Sequence, residues 1–164
     1  MLFSCDSNKN ANKEINQTLA QLYEKPMGIY DSIPSNLFSK DLLKKINAVR
    51  KITKDDEARI AKSDSPTDKP ILFEGSVLSN LYEGFTKYKI QDISINDNQA
   101  KATINFENSD FSPSEKWSDT VILVNENGWK FDNVLYTRKD SETKDLKENL
   151  DSMIKDAKNS KKEK

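Results

Sequence analysis

The sequence predicts an α+β fold, with N-terminal helices packed on a curved antiparallel sheet of about four strands and a closing C-terminal helix. Three observations predict it. Apolar residues recur at helical spacing over 15–23 and again over 42–52. The period then falls to two, cleanest where Ala100, Ala102, Ile104 and Phe106 alternate with Lys101, Thr103 and Asn105. The helical period returns from Leu146 onward.

Each element has its own signals. Asn12 is a plausible N-cap for a first helix carrying Ile15, Leu19, Leu22 and Tyr23, and Pro26 and Gly28 end it. A second helix starts near Ser35 or Ser39. Its stripe is Leu42, Leu43, Ile46, Val49 and Ile52, with a weaker continuation through Ala58 and Ile60. Two prolines and two aspartates within 63–70 exclude regular structure there. Tyr88 and Ile90, then Ile93 and Ile95, alternate around an expected bulge near Asp92. Asn96-Asp97-Asn98 makes a hairpin turn, because these residues tolerate left-handed backbone.

The run Val121-Ile122-Leu123-Val124 predicts a third strand buried on both faces. Asn127-Gly128 closes a second hairpin. Trp129, Phe131 and 134–136 form the last strand, with a phase slip at Asp132-Asn133 that reads as another bulge. Asp140 or Ser141 caps the last helix, whose stripe is Leu146, Leu150, Met153, Ile154 and Ala157. A curved sheet around one long helix makes a cone with a pocket at its open end. The expected organisation is a signal remnant and tether at 1–11, one domain at 12–158 and a basic tail at 159–164.

Composition narrows the function classes. The 164 residues include 26 Lys or Arg and 27 Asp or Glu, for a net charge of -1. No strong field draws nucleic acid. There is no histidine, which removes Ser-His-Asp and Cys-His catalysis and histidine zinc sites. The single cysteine, Cys5, cannot form an internal disulfide. Leu2-Phe3-Ser4-Cys5 has an apolar residue three before a cysteine and a small residue just before it. That resembles a bacterial lipobox, in which the cysteine carries lipid, and the polar run 6–12 suits a tether. The plainer account is a free cysteine in a frayed terminus.

The stretch Trp117-Ser118-Asp119-Thr120-Val121-Ile122-Leu123, then 127–136 as Asn-Gly-Trp-Lys-Phe-Asp-Asn-Val-Leu-Tyr, resembles the closing hairpin of a family of bacterial lipoproteins, domain of unknown function 3828. Leu37-Phe38-Ser39-Lys40-Asp41-Leu42-Leu43 is similar to that family's helix start, and Ser63-Asp64-Ser65-Pro66 to its S-D-P segment with Ser65 inserted. Phe131 stands where isoleucine is common, and Asn133 where a second aspartate is common. The resemblance spans roughly Ile15 to Ile154. It implies a fold like nuclear transport factor 2, a signal peptide and a lipid anchor on Cys5. It implies no established activity and no cofactor.

Candidate chemistry gathers at the open end of the cone. Asp119 and Asp132 sit on strands that should pair, so two close carboxylates could do acid/base work or hold a cation. Otherwise each bonds a bulge or an indole. Trp117, Trp129, Tyr88 and Tyr136 would line an apolar pocket or simply fill the core. Glu83 precedes a strand beside Gly84, which allows a bend. Asp64, Ser65, Thr67 and Asp68 offer oxygens without EF-hand spacing, so no metal site is expected. The expected function is a non-catalytic, lipid-anchored envelope module binding a protein or small ligand and facing the periplasm or exterior. An immunity protein that neutralises a toxin is one alternative, and a cone-pocket enzyme is another.

Overall fold

The computed structural model describes residues 4–139 and 141–160, with side chains from Asn8 to Asn159. The fold is α+β. Helix α1 spans Ser4–Leu22 and α2 spans Lys40–Ile60, preceded by a short 3-10 turn at Ser35–Leu37. Four strands follow: β1 Lys87–Asn96, β2 Gln99–Asn108, β3 Glu115–Asn125 and β4 Trp129–Tyr136. Helix α3, Leu146–Ser160, closes the chain.

The strands form one antiparallel meander in the order β1-β2-β3-β4. Both expected bulges exist. Register shifts between Ile90 and Asp92 on β1, and across Asp132 on β4 where Ile122 meets Asn133 and Leu123 meets Phe131. The inner face carries Ala100, Ala102, Ile104, Phe106, Trp117, Val121, Leu123, Phe131 and Val134, all buried. Ile122 is buried from the other face, so β3 is covered on both sides along its middle. At the second turn Asn127 has φ 56° and Gly128 φ 113°. The positive φ at Gly128 is what favours glycine there; a Cβ would also meet Glu14 Oε1 at 2.9 Å, a flexible side-chain end that would have to shift.

Helix α1 buries Ile15, Leu19, Leu22 and Tyr23 in this core, and α2 buries Leu42, Ile46 and Val49. Two expected caps are corrected. Helix α1 begins at Ser4, so Asn12 lies inside it, and backbone expected as a tether is helical from that point. Ala11 packs against the core, extending the apolar stripe one turn earlier, while Asn12 Oδ1 and its carbonyl accept from Asn16 Nδ2. Helix α3 starts later than expected. Lys144 and Asp145 first pair with the β4 edge, through Tyr136 N–H to Lys144 O at 2.9 Å and a bridge between Leu135 and Asp145. Asp145 Oδ1 then accepts from Glu148 N at 2.8 Å, as an N-cap does. Ser141 instead accepts from Asn80 Nδ2, and Asp140 lies outside the described residues. Ser39 caps α2 as expected, accepting from Leu42 N at 3.1 Å.

Among the described residues, no helix is long and apolar enough to cross a membrane. The lipidation expected at Cys5 falls on a side chain outside the described ones, as do Leu2 and Phe3.

Candidate functional site

The turn end of the β3–β4 hairpin is a clamp. Trp129 is buried against α1, its N–H donating to Glu14 Oε1 at 3.0 Å and its carbonyl accepting from Thr18 Oγ1 at 3.3 Å. Asp132 Oδ1 accepts from Ser39 Oγ at 2.6 Å and from Lys147 Nζ at 2.7 Å. Lys147 also reaches Asp41 Oδ2 at 2.8 Å. One carboxylate on a bulge thus joins the α2 cap, α3 and β4. Burial disfavours the Lys147 charge, but its bonds to Asp132 and Asp41 outweigh burial and the net pKa is raised. The Lys147 hydrogen bond chiefly holds the Asp41 carboxyl below its ordinary value.

Asp119 belongs to a different network. It pairs across the strands with Tyr136, while Asp132 lies at the bulge near the turn, so the two carboxylates are not cross-strand neighbours and share no bonded partner. Asp119 is fully buried. Its Oδ2 accepts from Asn80 N at 2.9 Å and Trp117 Nε1 at 3.2 Å. Its Oδ1 has no donor in bonding geometry among the described residues. Burial pushes its pKa up, against the opposing pull of the Asn80 amide, the Trp117 indole, the Thr137 amide and Arg138.

Trp117, Phe106 and Tyr88 stand opposite one another on β3, β2 and β1. The Phe106 and Trp117 rings stack at 5.2 Å, and Tyr23 and Phe85 complete the cluster. Most of this cluster is core. Tyr88 and Trp117 also border a groove of about 510 Å³ with Lys87, Lys89 and Lys116. Tyr23 remains a neutral phenol: burial first, then the Asp119 charge, raises its pKa well above the ordinary value, and its hydroxyl donates to Leu78 O at 2.8 Å.

The expected site residues therefore divide. Trp129 and Asp132 serve the clamp, Asp119 lies deep, and Tyr88 and Trp117 edge one groove. Glu83 lines a second cleft of about 380 Å³ with Pro26, Met27 and Gly84. Gly84 has φ 79°, which supplies the bend expected of it. Tyr136 lines a third cleft of about 320 Å³, with Glu74, Ser79, Asn80, Tyr82, Glu142 and Asn149 among its walls. Burial raises the Tyr136 pKa, over the opposing effect of a bond with Asn149. Ser79 is 1% exposed and its Oγ has no hydrogen-bond partner among the described residues.

The sequence pattern missed Glu74, Ser79, Tyr82 and Glu142. Residues 71–86 form no strand, so periodicity carries no signal there. The one legible hint is Val77-Leu78, an apolar pair amid polar residues, and both side chains are fully buried. Among the described residues no cluster of three acidic or cysteine side chains is placed to hold a metal ion. Compared with known proteins, the chain matches no family model, no curated protein and no solved structure.

Proposed function

We propose that this protein is a lipid-anchored, non-catalytic binding module of the bacterial cell envelope, related to the domain of unknown function 3828 lipoproteins and their nuclear-transport-factor-2-like cone. The observation that carries the binding role is the cleft beside Tyr136. It is concave, walled by Tyr82 and Tyr136, and Ser79 is among its lining residues, with a buried hydroxyl that has no hydrogen-bond partner among the described residues. The chain's lack of histidine and the separation of Asp119 from Asp132 support binding over acid/base chemistry. Leu2-Phe3-Ser4-Cys5 supports the anchor.

The anchor is tested by Cys5→Ala at the native locus, with cell fractionation and intact mass. Native protein should partition with membranes and carry a lipid mass increment, and the variant should lose both. Equal fractionation of the two, with no mass increment on either, would overturn the envelope reading.

A further inference from the structure

We propose that two copies of this domain pair edge to edge through β1, antiparallel, about a two-fold axis at the Gln91–Asp92 bulge. This pairing does not depend on the anchor or on the cleft beside Tyr136.

The open edge is the first argument. The outer side of β4 is occupied, by Ser39 N–H donating to Phe131 O and by Lys144 O accepting from Tyr136 N–H. Strand β1 pairs only with β2. Among the described residues no bridge or backbone hydrogen bond lies on its other side. One row of its N–H and C=O groups is therefore open to any extended backbone that reaches it.

Apolar cover is the second argument. Tyr88, Ile90, Ile93 and Ile95 pack against the core yet are only half-buried. Their cross-strand neighbours Phe106, Ile104, Ala102 and Ala100 are all buried. The inner face thus loses its cover where the sheet ends. A strand added there would shield four large side chains.

Self-complementarity selects a second copy as the occupant. The bulge resets the alternation, so half-buried and exposed positions read the same from either end of β1. Turned about the point between Gln91 and Asp92, a second copy sets its Ile93 opposite Ile90 and its Ile95 opposite Tyr88. All four inner residues then meet apolar side chains, and no other register achieves this. A slip of one residue either way sets all four against exposed polar positions.

Charge agrees with the same register. Lysines on an edge strand ordinarily oppose pairing. Here Lys87 falls opposite Asn96 of the second copy and Lys89 opposite its Ser94, with its Asp92 diagonal to Lys89. No like charges stand opposite each other.

The test uses the full chain at low salt under reducing conditions, so that Cys5 cannot link two copies. Sedimentation equilibrium should show a monomer–dimer exchange with a Kd of about 10–100 µM, weak because one strand pair makes a small interface. In a mixture of isotope-labelled and unlabelled chain, intermolecular NMR contacts should join Ile90 to Ile93 and Tyr88 to Ile95. Ser94→Lys places two like-charge pairs in every dimer and should weaken it about fivefold. Adding Lys89→Glu turns both into opposite-charge pairs and should restore the native affinity. Both side chains are exposed, so unfolding curves of the monomers should be unchanged. A dimer indifferent to Ser94→Lys, or one whose contacts join other residues, would overturn the proposal. So would a chain that stays monomeric to about 1 mM, which would leave the edge to an extended segment of another protein.

Discussion

At its turn end the β3–β4 hairpin is tied to α1, α2 and α3 through Trp129, Asp132 and Lys147. At its far end Asp119, Ser79 and Tyr136 surround or underlie a cleft, and two buried oxygens have no partner among the described residues. The same two strands thus carry a region in which the polar groups of the clamp are matched and a region in which matching is incomplete. A matched buried charge holds elements in register. A buried polar atom left without a partner costs stability.

The largest effect should come from the matched end. Trp129→Ala removes a buried ring between β4 and α1 and is expected to cost about 3–5 kcal/mol in urea unfolding. A loss under about 1 kcal/mol would mean the turn end is not the better-packed region.

Next comes the clamp. Lys147→Met strands the mostly buried Asp132 carboxylate and should cost about 1–3 kcal/mol. Combined with Asp132→Asn, the losses should be well short of additive, because both variants break one bond. Full additivity would dissolve the clamp as a unit.

Asp119 sharpens the comparison through pH. Its folded pKa is raised above the ordinary carboxyl value, so the folded state holds its proton to higher pH than the unfolded chain does. The stability it contributes is therefore complete below the unfolded carboxyl pKa and is lost as pH rises through the raised value. Each unit of separation is worth about 1.4 kcal/mol. The native protein should lose more stability than Asp119→Asn over that rise. Parallel stability–pH curves for the two proteins would show that Asp119 titrates normally.

The smallest effect is expected at Ser79. Its hydroxyl bonds nothing within the described residues, so Ser79→Ala should stay within about 0.5 kcal/mol of the native protein. A larger loss would show that the hydroxyl is structurally engaged and that the far end is as matched as the turn end.

Much of this architecture is legible in the sequence for a simple reason. Where one face is buried, period and phase are fixed, so β2 and both bulges read directly from the alternation and its slips. The helix starts read less well. Asn12 has capping chemistry, yet Ala11 still finds core to pack on and the helix runs through. Ser141 is likewise a good cap, but the β4 edge holds the chain extended until Asp145. The site was legible only in part. Counting outward from the Asn125–Trp129 pair carries Asp119 past Asp132 to the far end of β4, so the pairing of the two acids was avoidable. Ser79 and Tyr82 were not legible, because an irregular segment is positioned by single bonds such as Asn80 N–H to Asp119 and by burial of Val77 and Leu78 rather than by period.

The covering of β4 has a consequence for how copies of this domain meet. Phe38 and Ser39 occupy one stretch of its outer edge, and Lys144 and Asp145 another. No strand covers β1 among the described residues, where Lys87 and Lys89 precede the bulge at Gln91. Fibrils grow only from units that can accept a strand on each side. A sheet capped on one side is a chain terminator: pairing through β1 uses the last free rim of both molecules, and polymer growth by that route ends at two.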